Sequence, residues 1–496
     1  MNYLILLQLL APEAILTVTA LLVLGVGFSA WGSRQVLVLL SLVGCFAAGA
    51  SLSFLPTANI YMVGGMLAMG PLAAFFKGIL IGLAAVTIVF SRTGGVRTHF
   101  AEYLSLLLFA TVGMTLLISS EELLMIFVAL ELTSISLYAL AAFRKESRAS
   151  AEAGLKYFLV GGVSAAFLLF GLSLIYGVAG TTSLHALASI PPALAGDPLM
   201  LAGIVLTLGG FAFKVAAVPF HLWAPDVYQG APTSAAAFIA SGSKVAGVFI
   251  LAKMLALGLA ATSGVGCMAG WTAWVPLLAI MAAASVLLGN IAALVQSNVA
   301  RILAYSAIAH GGYMLIGFTS ASIPGFTAVL FYVIIYAITT LGAFGIISLV
   351  KTRRGSANLR DFDGLAKTSP LVAICLLVFL ISLAGIPPFA GFFGKFYLFA
   401  EALKGASAGP APGIFWLVAA AIALNAVSLY YYLIILKHAF VMPAPAETKH
   451  SQAPISGDTL LLVIALAAAV LLLGLFPGVL LEPLRAVISN YLTTFL

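Results

Sequence analysis

The chain holds 496 residues, of which 63% are hydrophobic and only 7% charged, whereas a soluble domain carries about 25% charged residues. That composition excludes a water-soluble enzyme and places the chain among polytopic membrane proteins. The net charge of +7 is scattered over short loops, so the basic patch that a nucleic-acid partner requires is not expected.

Apolar runs of spanning length fall at residues 12–30, 36–55, 69–90, 100–120, 123–143, 153–179, 199–228, 232–258, 272–294, 302–319, 325–350, 369–405, 413–437 and 458–480. They predict an all-α membrane protein of about fourteen transmembrane helices. No basic residue precedes the first run, so Met1 to Gly32 reads as a first span rather than a cleaved signal. Cys45, Cys267 and Cys375 lie singly in apolar runs, a spacing that suits neither a metal site nor a local disulfide.

Lysines and arginines orient the spans. With the N-terminus outside, the inner loops hold fifteen: Arg34, Arg92, Arg97, Arg144, Lys145, Arg148, Lys156, Arg301, Lys351, Arg353, Arg354, Arg360, Lys367, Lys437 and Lys449. The outer segments hold two, Lys404 and Arg485. Both termini are therefore expected on the outer side.

Five lysines remain inside the spans: Lys77, Lys214, Lys244, Lys253 and Lys395. A lysine at mid-membrane costs on the order of 3 kcal/mol, so five need a reason. Lys77 and Lys253 lie near span ends, where they can snorkel, and a place for them on an ion path stays open. The fifth span, ELLMIFVALELTSISLYALAAF, offers Glu131 near its centre as a partner for Lys214. Such a pair holds the lysine charged when closed and frees its proton when opened.

The seventh run contains GGFAFKVAAVPFHLWAPDVYQGAPT, from Gly209 to Thr233. Roughly 30 helical residues reach ~45 Å, more than the ~30 Å of hydrocarbon. Pro219 and Pro225 are therefore expected to break this span beside Lys214, with His221 at the break and Asp226 as a helix cap. The tenth span places His310 at mid-depth near Tyr305, Ser306 and Tyr313, a second relay candidate beside the bland reading of a satisfied core histidine. The twelfth, LAGIPPFAGFFGKFYLFAEAL, breaks at Pro387 and Pro388, just before Lys395. Two broken helices five spans apart, each with a buried lysine, suggest an inverted repeat of five-helix units. The expected organisation is a three-helix segment (1–99), a first repeat (100–260), a second (261–440) and a C-terminal helix (441–496).

The segments ELLMIFVALELTSISLYALAAF, GFAFKVAAVPFHLWAPDVYQGAPTSAAAFIASGSKVA, RILAYSAIAHGGYMLIGF and SLAGIPPFAGFFGKFYLF resemble the antiporter-like membrane subunits of respiratory complex I, over nearly the whole chain. Lys395, where related types carry glutamate, the ending after fourteen spans and the spelling APDVYQGAPT are most similar to the N-type branch. The resemblance implies proton translocation driven by quinone reduction elsewhere in a hetero-oligomeric NADH:quinone oxidoreductase of the bacterial inner membrane. It implies a polar axis through Glu131, Lys214, Lys244 and Lys395, beside which His310 and His221 stand as relay candidates on the residues alone. It also implies no cofactor in this chain, with FMN, iron–sulfur clusters and quinone handled by partner subunits. The alternative is a subunit of a multisubunit cation/proton antiporter.

Overall fold

A lipid-embedded backbone must satisfy its own hydrogen bonds, and this apolar chain does so almost entirely as helix. The computed structural model describes residues 3–29, 32–93, 96, 98–260, 262, 274–407, 412–444 and 457–493. Arg97, Cys267 and Lys449 lie outside them. Among the described residues twelve helices are long and apolar enough to cross a membrane, and two shorter apolar ones, Ala11–Gly27 and Pro370–Ala384, supply the first and twelfth expected spans.

Local chemistry sets where spans begin. Proline stands in the first turn of Ala11–Gly27, Pro71–Ser91, Pro198–Val215, Val275–Leu294, Ile323–Arg354 and Pro370–Ala384, where its missing N–H costs nothing. Ser147, Asn298 and Ser322 cap Arg148–Ala179, Val299–Phe318 and Ile323–Arg354 by accepting backbone N–H groups.

Both long spans are broken. The seventh is Pro198–Val215 followed by Trp223–Gly230, and Ala216 turns the chain in the left-handed conformation at φ +59°. The twelfth is Pro370–Ala384 followed by Ala390–Ser407, with Gly385 at φ +81° in the equivalent place. The peptide bonds Val218–Pro219 and Pro387–Pro388 within the two breaks are cis. Each first half thus ends at mid-bundle, leaving its last carbonyls for side chains to satisfy.

The eighth, tenth and eleventh spans form the centre. Thr233–Gly258 is buried along its whole apolar length, and Val299–Phe318 and Ile323–Arg354 nearly so. The outer ring, including Arg148–Ala179 and Gly457–Leu475, leaves much of its apolar surface to lipid or neighbouring proteins.

The basic residues assigned to inner loops gather at one end of the bundle. There Arg34 donates to the Ser91 and Val96 carbonyls, Arg92 pairs with Asp458, Arg144 donates to Gly230 O, and Arg353 donates to Ser369. Asp226, expected as a cap, instead lies in the first turn of its half-helix and accepts Lys156 at 2.6 Å and Arg301 at 2.5 Å. The opposite end carries an antiparallel hairpin, Ile60–Met62 with Leu67–Met69, whose register pairs Ile60 with Met69. This segregation agrees with the fourteen-span count. The C-terminal stretch departs from expectation: the last span, Gly457–Leu475, stops before Pro477, and a separate helix, Gly478–Thr493, follows it.

Candidate buried ion path

All five lysines within spans are buried, and their partners divide them into two groups. Lys77 pairs with Glu13 at 2.7 Å, and Lys253 with Glu121 at 2.7 Å. Lys253 also donates to the Ile118 and Ser120 carbonyls, while Tyr491 of the C-terminal helix donates to Glu121 at 2.7 Å. Glu121 lies in the loop between the fourth and fifth spans. Burial pushes its carboxyl up, but the Lys253 charge and hydrogen bonds from His185, Lys253 and Tyr491 outweigh that and hold it below the usual carboxylate range.

The other three lysines end on neutral groups. Lys214, in the last turn of Pro198–Val215, donates to Ser134 Oγ at 2.5 Å. Lys244 donates to the Ala307 carbonyl at 2.6 Å and lies 4.8 Å from the centre of the Tyr336 ring. Lys395 reaches back across its break to the Leu383 carbonyl at 2.7 Å and the Ala384 carbonyl at 3.3 Å, and donates to Asn425 Oδ1 at 2.5 Å. It therefore satisfies the open carbonyls of the first half-helix, at the negative end of that helix's dipole.

The expected contact between Glu131 and Lys214 takes a different form. Among the described residues Glu131 is in no ion pair; Ser134, one turn further along the same helix, takes the ammonium. Glu131 is half-buried, at the edge of a stripe of exposed apolar residues, Leu124, Val128 and Ile135. Its charge still acts on Lys214, but at more than contact distance.

His310 lies between Lys244 and Lys395 and feels both charges. Its Nδ1 is 2.5 Å from the Tyr332 hydroxyl and its Nε2 is 3.2 Å from the Tyr432 hydroxyl, which also meets Ser306 Oγ at 2.5 Å. The chain of polar groups continues beyond the histidine. Tyr431 donates to Asn290 Oδ1 at 3.1 Å, Asn290 donates to the Tyr313 hydroxyl at 3.2 Å, and the Tyr313 ring lies 5.2 Å from Lys395 Nζ. Ser306 and Tyr313 belong to this set as the sequence suggests, whereas Tyr305 turns towards Arg301. His221 is buried at the seventh-span break, and among the described residues no hydrogen bond joins it to this chain of groups.

Close packing fixes these positions. A Cβ at Gly247 would stand 3.0 Å from Lys214 Cβ, so the helix bearing Lys244 rests directly on the Lys214 stem. Lys244 itself follows a π-helical stretch, Ile239–Ser243, a local widening that often marks functional positions. The sequence SGS at 241–243 is its only visible signal.

Residues 120–422 match the protein family described as NADH:quinone oxidoreductase/Mrp antiporter, transmembrane. A protein of Acidobacterium capsulatum named NADH-quinone oxidoreductase subunit N 2 is 45% identical over 509 residues, covering 98% of this chain and 99% of that protein. A chain of respiratory complex I from Thermus thermophilus, solved with bound aureothin, superposes with a TM-score of 0.79 at 35% identity, covering 95% of this chain and 98% of that one. A chain of the Mrp complex from Dietzia sp. superposes with a TM-score of 0.80 at 22% identity, covering 99% and 97%, a likeness of fold.

Proposed function

The chain belongs to the NADH:quinone oxidoreductase/Mrp antiporter family of membrane subunits, and we propose that it is the subunit-N-type proton-translocating member of a respiratory NADH:quinone oxidoreductase. The subunit moves protons and carries out no redox chemistry of its own. Flavin, iron–sulfur clusters and quinone are handled by partner subunits. The basic end faces the inside of the bacterial inner membrane, with both termini on the other side, and spans four to eight and nine to thirteen act as the two inverted halves.

One observation carries this reading: among the described residues three of the five buried lysines have no carboxylate partner, and these are the three strung along the centre. A buried pair such as Lys253–Glu121 is already neutral as a unit and has little to gain from moving a proton. Lys214, Lys244 and Lys395 are held by a hydroxyl, carbonyls and an amide instead. Those acceptors serve a charged ammonium, and a neutral amine stays without leaving an ion unpaired. His310 and the tyrosines around it bridge Lys244 to Lys395, and Glu131 biases Lys214 from one side. His221 is a peripheral member, at the break that lets the first half-helix shift.

The Mrp fold likeness supports a second reading, a subunit of a cation/proton antiporter. Subunit-N relatives at 45% identity over nearly the full chain favour the first. The test is Lys395→Ala in the assembled complex, read as proton uptake into inverted vesicles during quinone reduction. Uptake is expected to fall with assembly intact; unchanged uptake removes Lys395 from the path.

A further inference from the structure

At the basic end a cavity of about 330 Å³ opens between the halves, lined among others by Arg144, Tyr228, Gln229, Asn298, Lys351 and Asn358. It has room for several waters, and none of the residues lining it is a carboxylate. Arg144 Nε is buried with no hydrogen bond among the described residues, and its Nη2 donates to the Gly230 carbonyl at 3.1 Å. Tyr228 lies at the bottom of the cavity, 3% exposed, packed against Phe344 and Trp223. Its side chain interacts with that of Tyr336, two turns from Phe344 on the eleventh span.

Tyr336 is the residue whose ring lies 4.8 Å from Lys244 Nζ and 5.2 Å from the His310 ring. On its far side a separate cavity of about 10 Å³, the size of one water, touches Tyr336, His310, Tyr332 and Ser382. Thr340, one turn from Tyr336, is buried, and its hydroxyl interacts with the Tyr336 side chain. Two phenols are thus the contact between solvent at the basic end and the centre of the path.

Resting on the function proposed above, we infer that Tyr228 and Tyr336 form the inner inlet of the path, and that Arg144 and Lys351 keep metal cations out of it. A vestibule water gives a proton to the Tyr228 oxygen, leaving a hydroxide that bulk solvent neutralises, as the Tyr228 hydroxyl passes its own proton to Tyr336. Tyr336 passes its proton in turn to a water beside His310, which becomes hydronium, and both phenols end neutral. One proton has moved and no other ion has. A sodium ion has no such exchange available: it would have to pass the closed phenol contact bodily, after crossing two fixed positive charges.

Tyr228→Phe keeps the ring packing and removes only the hydroxyl. In the assembled complex, in inverted vesicles, proton uptake per quinone reduced should fall several-fold. The solvent deuterium isotope effect on uptake should rise, because proton delivery becomes limiting; a merely structural role would not move it. Tyr336→Phe should do the same, and serves if Tyr228→Phe does not assemble. Wild-type uptake and isotope effect in either assembled variant would overturn the inlet. Lys244→Ala, run in parallel, separates the two levels: normal uptake there sinks the proposed function, whereas lost uptake there with normal Tyr228→Phe sinks the inlet alone. For selectivity, Lys351→Gln should make uptake slower in sodium chloride than in choline chloride. Equal rates in the two salts would remove the collar from the proposal.

Discussion

Lys214→Arg separates a fixed charge from a proton carrier. In the structure the Lys214 ammonium needs one acceptor, Ser134 Oγ at 2.5 Å, and lies 5.3 Å from the Phe213 ring. A guanidinium can use both, so a structural role survives the exchange. A carrier must also give its proton up. At pH 7 an arginine, with a pKa above ~12, sits at least ~5 units from that point, or ~7 kcal/mol at ~1.36 kcal/mol per unit. An ordinary lysine at ~10.4 needs ~4.6 kcal/mol. About one guanidinium in a hundred thousand is therefore neutral, too few to sustain turnover at a wild-type rate. The expected result is a complex that assembles on native gels but pumps poorly, with quinone reduction falling in step where coupling is tight. The assay is proton uptake and donor–quinone turnover in inverted vesicles. Wild-type pumping by an assembled Lys214→Arg complex would show that Lys214 is a fixed charge and refute its part in the path.

Two further predictions concern backbone and burial. At Gly385, where φ is +81°, an added Cβ would stand 3.0 Å from Lys395 Cδ and 3.3 Å from Nζ; Gly385→Ala should cost about 1 kcal/mol in the left-handed turn and lower proton uptake by displacing the ammonium, and undiminished uptake would show that the Lys395 position is not critical. Glu121→Gln leaves Lys253 buried without its counter-ion and should destabilise the chain by about 3 kcal/mol, seen as a lower midpoint in thermal unfolding of the complex. Because the folded Glu121 value is depressed, its stabilisation is full above the ordinary carboxylate value of about 4.3 and is lost as pH falls through the lower folded value. Wild type should therefore lose stability over that acid window more steeply than Glu121→Gln, and parallel curves would refute the pairing.

The fourteen spans and both helix breaks were legible because hydropathy and proline act locally. The lysines of the seventh, eighth and twelfth spans stood out for the same reason, as did His310. Partners were a different matter. Depth along the span separates Lys253 from Lys244, but nothing along the sequence says that the first pairs with Glu121 and the second ends on a carbonyl, since pairing is decided by which helices meet. Glu131 looked like the natural acceptor for Lys214, yet Ser134 on the same helix takes that place, a difference of one turn that rotation of a packed helix decides. Tyr332, Tyr336, Tyr431, Tyr432 and Asn425 sit in apolar runs and read as ordinary membrane residues. Only the fold turns the Tyr332 and Tyr432 hydroxyls toward His310 and the Asn425 amide toward Lys395, sets Tyr431 on Asn290 and brings the Tyr336 ring beside His310. The helix Gly478–Thr493 was read as an extension of the last span, because its apolar face resembles one until Pro477 is seen to stop the preceding helix.

The ion pairs at Asp226 have a mechanical side. One carboxylate joins Lys156 of the sixth span and Arg301 of the tenth, so the second half of the broken seventh helix is moored to neighbours on both sides. To swing that half, both bonds would have to part together. The first half, with Lys214 at its tip, ends at the left-handed Ala216, and among the described residues its tip is held by the Ser134 hydroxyl and by packing on Gly247, with no ion pair. The broken helix is in this sense a stator and a lever joined by seven residues, Ala216 to Leu222. The two halves are thus held differently, the second by two ion pairs to its neighbours and the first, at its ammonium, by one hydroxyl.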